Sequence, residues 1–99
     1  METPYYAVIF TSTRTSVDEG YAEMAIQMVE LAQQQEGFLG VESARNDIGI
    51  TVSYWRDLES ITKWKSNLDH IEAQLKGRST WYEKYTVRIA LVEREYSFD

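Results

Sequence analysis

The chain has 99 residues, enough for one domain over residues 1–99, and carries a net charge of −6 (10 Lys and Arg against 16 Asp and Glu) with no cysteine. The negative charge argues against nucleic acid or anionic lipid as a partner, and the lack of cysteine excludes disulfides, thiolate metal ligands and thiol nucleophiles. Since no apolar run approaches the ~20 residues that cross a bilayer, we expect a cytoplasmic protein without a membrane partner.

The first half of the chain predicts a strand, a helix and a β-hairpin. Residues 5–12 are aromatic and β-branched, with apolar side chains on both alternating faces, which is typical of a strand covered on two sides. Residues 16–19 have the form of a helix capping box, and apolar residues then recur at spacings of three and four until Gly37, a predicted left-handed helix end. Two β-forming segments, Phe38–Arg45 and residues 50–56, are joined by a turn sequence.

The second half predicts a helix and a final strand. Asp57 can cap a helix whose apolar residues keep helical spacing from Leu58 to Leu75, before Gly77. Residues 85–92 alternate and give a fourth strand. The order β-α-β-β-α-β predicts an α+β ferredoxin-like fold, a four-stranded antiparallel sheet with two helices on one face. Because the other face also carries apolar side chains, we expect it and the C-terminal strand to pair with a second copy in a homodimer.

A family resemblance runs from Gly37 to the C-terminal strand. It rests on residues 37–43 (GFLGVES), residues 49–55 (GITVSYW), Trp64, Lys65, His70, Gln74, Gly77, Arg78, Trp81, Tyr82, Tyr85 and residues 92–94 (VER). In this order and spacing the chain resembles the antibiotic biosynthesis monooxygenase superfamily. The resemblance implies a dimeric α+β barrel with a pocket between sheet and helices in each subunit. Some members oxidise aromatic polyketides with molecular oxygen, and others degrade haem.

An oxygenase that uses no cofactor needs an apolar pocket for an electron-rich phenol and polar groups that remove its proton. We predict His70, Asn67 and Trp64 as catalytic residues, because His70 and Asn67 share a polar stripe of the second helix. The predicted substrate-binding residues are Trp55, Trp81, Tyr54, Tyr82, Phe10 and Ser12. The competing interpretation makes the tryptophans core residues and His70 a structural or surface histidine.

Haem degradation is the alternative that requires a cofactor. Haem-degrading relatives use a helical histidine as iron ligand and an asparagine on the first strand; His70 is the only match for the first, and no residue matches the second. A third hypothesis is a non-catalytic dimer that sequesters a small apolar ligand. No metal-ligand spacing and no phosphate-binding loop is recognisable. The leading prediction is therefore a monooxygenase without cofactor or metal, acting on a small aromatic or quinone-like molecule.

Overall fold

The computed structural model describes residues 1–75 and 80–98, and the side chains of all of these except residues 70–75. The elements in chain order are β1 (Tyr5–Arg14), α1 (Tyr21–Gln33), β2 (Phe38–Arg45), β3 (Gly49–Trp55), α2 (Leu58–Leu75) and β4 (Tyr82–Val92). The strands form one antiparallel sheet in the order β2-β3-β1-β4, which confirms the α+β ferredoxin-like prediction. Neither helix, over its described residues, is long and apolar enough to cross a membrane. Gly77, predicted to follow α2, lies outside the described residues.

Two neighbouring strands, β1 and the edge strand β4, are longer than predicted. β1 continues to Arg14 and β4 begins at Tyr82, and these two residues pair after a register shift at Thr13. Beyond them, the Thr15 backbone N–H donates to the Trp81 carbonyl at 2.9 Å. The added residues are mostly polar, so their side chains carry no alternation signal although their backbones continue the ladder.

Cross-strand register divides the side chains between the two faces of the sheet. Tyr6 and Val8 pack against the helices, and residues directly opposite them point the same way. Across β2, β3, β1 and β4, the helix-facing rows are Phe38-Trp55-Tyr6-Leu91 (first row), Val41-Ser53-Val8-Ile89 (second row), Ser43-Thr51-Phe10-Val87 (third row) and Arg45-Gly49-Ser12-Tyr85 (fourth row). The alternation predicted for β1 and β4 is therefore confirmed.

The tightly packed core lies at the first row. Trp55 has no exposed surface; its ring stacks on Trp64 with centroids 5.9 Å apart and meets Phe38 edge-on at 5.4 Å. Ala32 of α1 and Ile61 of α2 close the same cluster. Burying these large side chains at one end of the sheet fixes both helices there. The space between helices and sheet opens towards the fourth row.

The predicted capping box at residues 16–19 is wrong. α1 begins at Tyr21, and the residue before it, Gly20, has φ 79° and caps the helix without any side-chain hydrogen bond. The Asp18 carboxylate instead accepts from Arg14 Nη2 at 3.0 Å. Ser16, the cap of the predicted box, lies four residues before Gly20, so neither Ser16 nor Asp18 caps α1 and glycine makes the turn.

The start of α2 follows the prediction. Asp57 Oδ1 accepts from the Ser60 backbone N–H at 2.8 Å and from Ser60 Oγ at 2.7 Å, a side-chain cap. Gly37 has the predicted left-handed conformation, φ 86°, but α1 already ends at Gln33, so Gly37 turns the chain into β2. A Cβ at Gly37 would also lie 2.7 Å from Ser60 Cβ, which leaves room there for glycine only.

Candidate functional site

A cavity of about 860 Å³ lies between the helices and the helix-facing side of the sheet. The second, third and fourth rows form its floor, and Met24, Met28, Trp64 and Leu68 contribute to the helical side. Small-molecule sites commonly have volumes of roughly 300–1,000 Å³. The second and fourth rows are four residues apart on β1, which is about 13 Å along the strand. The space is therefore long and wide enough for a small polycyclic molecule.

One wall of the cavity is a cluster of aromatic rings. Phe10 stacks with Tyr85 at 5.3 Å and meets Tyr82 edge-on at 5.4 Å. Tyr82 in turn meets the Tyr21 ring at 5.9 Å, with the two hydroxyl oxygens 3.5 Å apart. The Arg14 guanidinium lies over the outer ring, 3.4 Å from the Tyr21 centroid. This wall offers ring faces and edges to an aromatic ligand and two hydroxyl groups to a polar one.

Two tryptophans line the cavity from different directions. Trp64 comes from the packed core, where its stack on Trp55 holds it in place and leaves it 8% exposed. Trp81 precedes β4, and its Nε1 donates to the Glu19 carbonyl at 2.8 Å. Its ring would lie 3.4 Å from a Cβ at Gly20, so it packs on the turn that starts α1. Both indoles are therefore fixed before any ligand arrives.

The far end of the cavity floor is polar. In the fourth row, the Arg45 side chain crosses over Gly49 and its Nη2 donates to Ser12 Oγ. In the third row, the hydroxyl-bearing residues Ser43 and Thr51 also line the cavity. Polarity thus increases along the floor, from the tryptophan core to a guanidinium.

The cavity brings together four of the residues predicted to form the site. Trp64, Trp81, Tyr82 and Phe10 all line it. The side chain of His70 lies outside the described residues, so its predicted catalytic role stays a prediction. The described part of the site is an aromatic enclosure.

Four other predicted site residues do not line the cavity. Trp55 lies behind Trp64 in the core, and Ser12, 3% exposed, lies beneath the Arg45 side chain. Asn67 is exposed on α2, where its Nδ2 donates to Gln35 Oε1 at 3.1 Å and to the Lys63 carbonyl at 3.3 Å.

Tyr54, the fourth of these, lies on the opposite face of the sheet. Its hydroxyl donates to Glu42 Oε1 at 2.7 Å, and its ring meets Tyr5 edge-on at 5.8 Å. The hydrogen bond to the Glu42 carboxylate, followed by burial, raises the pKa of Tyr54 to about 12. The hydroxyl therefore has its partner on the face remote from the cavity.

The sequence analysis missed the polar end of the cavity. Arg45, Ser43, Thr51 and Ser53 occupy helix-facing positions of the hairpin, where a packed core would require apolar side chains. Because side chains alternate between the two faces of a strand, this spacing in the sequence places polar residues on the covered face of both strands and indicates a cavity there. Tyr21 also lines the cavity and was not among the predicted site residues.

The described lining carries a small positive charge. Its charged side chains are Arg45, Lys65 and Asp69, two cations and one anion in a chain of net charge −6. Among the residues described, no three histidine, aspartate or glutamate side chains are grouped to hold a metal ion.

The described residues do not fit the haem-degrading pattern. The side chains that β1 directs into the cavity are Val8 and Phe10, so the strand supplies no amide beside a bound macrocycle. No step of the chemistry below therefore involves haem.

Comparison with known proteins agrees with the fold. The monooxygenase af470-like family matches residues 10–94. The uncharacterized protein YqjZ of Bacillus subtilis is 52% identical over 99 residues, covering 98% of this chain and 87% of that protein. A jasmonate monooxygenase of Pyricularia oryzae is 37% identical over only 43 residues, which are 43% of this chain and 20% of the fungal protein.

Two solved structures show the same fold at low identity. SnoaB, a cofactor-independent oxygenase from Streptomyces nogalater, superposes with a TM-score of 0.70 at 10% identity, covering 96% of this chain and 97% of SnoaB. PA3566 from Pseudomonas aeruginosa gives 0.67 at 16% identity, with 95% and 97% covered. The predicted superfamily is confirmed. The chain belongs to the monooxygenase af470-like family, with the fold of antibiotic biosynthesis monooxygenases.

Proposed function

We propose that this protein is a monooxygenase that uses no bound cofactor and acts on a small aromatic or quinone-like molecule in the cavity. The observation that carries the proposal is the 860 Å³ space enclosed by the aromatic wall and the two tryptophans. Membership of a monooxygenase family and the shared fold with the cofactor-independent SnoaB support the reaction type.

The substrate must itself reduce dioxygen if no cofactor takes part. For a phenol with a free ring position, the overall reaction is phenol plus dioxygen giving quinone plus water. One oxygen atom forms the new carbonyl; the other leaves as water, with the phenolic proton and the displaced ring proton. All electrons that dioxygen accepts come from the phenol. The reaction therefore requires a phenol whose anion is stabilised by further rings or donor groups.

The cavity residues suit the binding of such an anion. Phe10 and Tyr85 present ring surfaces for stacking. The Tyr21 hydroxyl, which accepts from Tyr82 at 3.5 Å, can donate to an oxygen on which negative charge develops. The apolar side chains of the second row and of α1 provide an apolar surface for one face of the ring. His70 remains the predicted base, because imidazole is the one side chain here whose ordinary pKa lies near neutrality.

Oxygen uptake by the purified protein tests the proposal. We expect uptake with polycyclic phenols and quinols, unchanged by a metal chelator, because neither metal nor haem takes part. Thr51→Phe, which puts a ring into the cavity floor, should abolish uptake. Gln27→Phe adds the same ring to an exposed position of α1 outside the cavity and should leave uptake intact.

Two outcomes would contradict the proposal. Uptake that disappears with the chelator would assign the reaction to a metal. Binding of the phenols without any uptake would instead make the protein a sequestering protein that uses the same cavity.

We also propose that the protein is a homodimer joined through the open sheet face. Ile9, Val52 and Ala90 lie on this face, and Ile50 beside them is 44% exposed. Removing such apolar surface from water favours an isologous contact. Light scattering should give twice the chain mass, and Val52→Glu should give a monomer; a monomeric unmodified protein would contradict the proposal.

A further inference from the structure

We infer that Arg45 is the binding site for a carboxylate on the ligand, so that the preferred ligands are aromatic carboxylic acids. The inference rests on the proposed function in one respect only: the ligand occupies the same cavity. Four observations carry it, namely the seat of the guanidinium, its unused hydrogen-bond donors, the charge of the lining and the distance to the aromatic wall.

The guanidinium is held in a defined position in the fourth row. A Cβ at Gly49 would overlap Nη2, Cζ and Nε of Arg45, so the planar group lies directly on the β3 backbone. Gly49 is buried although it has no side chain, because the arginine covers it. Ser12 Oγ, 3% exposed on the next strand, accepts from Nη2. The side chain is therefore held across the cavity floor at the cavity's polar end.

Most N–H groups of the guanidinium have no partner among the described residues, and Arg45 is exposed enough for them to meet a ligand. A guanidinium has five N–H donors, and among the described residues Arg45 donates only to Ser12 and joins no salt bridge. Arg14 and Arg56 differ, because Arg14 pairs with Asp18 and Arg56 with Glu36 and Asp57. Arg88 also donates only to a hydroxyl, that of Thr11, but it does not line the cavity. A guanidinium with a free edge matches the two oxygens of a carboxylate.

The surroundings favour an anion at this point. Lys65 and Asp69 are the other charged residues of the described lining, and their charges cancel. The net charge of the lining therefore comes from Arg45, in a chain whose overall charge of −6 would otherwise repel an anion.

The distances fix the shape of the ligand. Tyr85 stands in the same row as Arg45 but on the opposite edge strand, three strands away, and Phe10 lies one row further along β1. A carboxylate at Arg45 therefore leaves about 13 Å of floor between the fourth and second rows for the rings. A flat aromatic body carrying one carboxylate at its end fills both parts of the cavity.

A pair of isosteric probes tests the inference. Naphthoate and naphthamide have the same rings, but only naphthoate carries a charge, and both can be titrated by calorimetry. We expect the unmodified protein to prefer naphthoate by about tenfold or more, as hydrogen bonds to charged groups commonly give. Arg45→Gln should remove this preference and leave naphthamide binding unchanged. Lys63→Gln removes a charge at an exposed position outside the cavity lining and should preserve the preference.

The variant Gly49→Ala tests the position of the Arg45 guanidinium separately from its charge. The added methyl group displaces the guanidinium from its seat without changing the charge of the protein, so we expect the preference for naphthoate to fall. A preference that survives Arg45→Gln, or an equal loss of both probes in that variant, would overturn the inference. Equal binding of both probes together with oxygen uptake would overturn it while leaving the proposed function intact. Failure of both the probes to bind and the phenols to react would instead count against the proposed function itself.

Discussion

The effect of an added phenylalanine on the free energy of unfolding distinguishes an open cavity at the third row from a packed core. Thr51 is half-buried in the cavity floor. Ala32 lies where the cavity meets the core and is 6% exposed, packed in the cluster formed with Trp55, Ile61 and Trp64. Placing a phenylalanine at each position adds the same ring to two different environments.

At Thr51 the ring enters empty space. Burying a phenylalanine side chain contributes about 1.5–3 kcal/mol, against an ordering cost of up to about 2 kcal/mol. We therefore expect the free energy of unfolding of Thr51→Phe to be unchanged or higher by up to about 2 kcal/mol. At Ala32 the ring must displace packed tryptophans, and overpacking of this kind costs about 1–3 kcal/mol or more.

Urea unfolding followed by far-ultraviolet circular dichroism measures both values. The account predicts that Thr51→Phe unfolds at the same or a higher urea concentration than the unmodified protein, and Ala32→Phe at a lower one. If Thr51→Phe lowered the free energy of unfolding as much as Ala32→Phe, the space between α1 and the sheet would be closed in solution. The argument for a preformed site would then fail.

Three further predictions follow from single side chains. Hydrogen bonds from the Ser60 side chain and backbone lower the pKa of Asp57 to about 2. Because this pKa lies below the ordinary value of a carboxyl group, the ionised Asp57 stabilises the fold fully above about pH 4, and this contribution is lost as the pH falls towards 2. Asp57→Ala should therefore lower stability at neutral pH and flatten the acid limb of a series of urea unfolding curves. The hydrogen bond to Glu42 raises the pKa of Tyr54 to about 12 and so favours the neutral phenol in the fold; this stabilisation is present below about pH 10 and is lost towards pH 12. Ultraviolet titration of Glu42→Gln should show a tyrosine that ionises at lower pH than in the unmodified protein. An unchanged titration curve would contradict the assignment. Added haem should give no Soret change that depends on His70; a stoichiometric change lost in His70→Ala would assign iron binding to this histidine.

The fold was predictable because its signals are local and agree with one another. Apolar spacing located both helices, and alternation gave the faces of β1 and β4 that the register confirms. Asp57 was recognisable as a cap because its partner, Ser60, lies three residues away. Predictions were incomplete where the interacting residues lie far apart in the sequence. The predicted strands β1 and β4 were too short, because their backbones pair with each other beyond the apolar residues.

The candidate site was only partly predictable for the same reason. Most of the predicted site residues are aromatic, but Trp55 faces the core and Tyr54 the opposite side of the sheet, a difference set by register between strands. The role inferred for Arg45 depends on Gly49 and Ser12, which come beside it only when β2, β3 and β1 assemble. No spacing within the chain reports that arrangement.

Reaction under isotopically labelled dioxygen tests the central claim most directly. With a polycyclic phenol that the protein oxidises, mass spectrometry of the quinone should show one labelled oxygen atom per molecule, and the second labelled atom should appear in water. The protein should carry no metal or haem during this turnover. A quinone without label would mean that its oxygen comes from water and that the protein is not a monooxygenase. If label entered the quinone only when metal or haem was supplied, the substrate would not be reducing dioxygen by itself and the account would be contradicted.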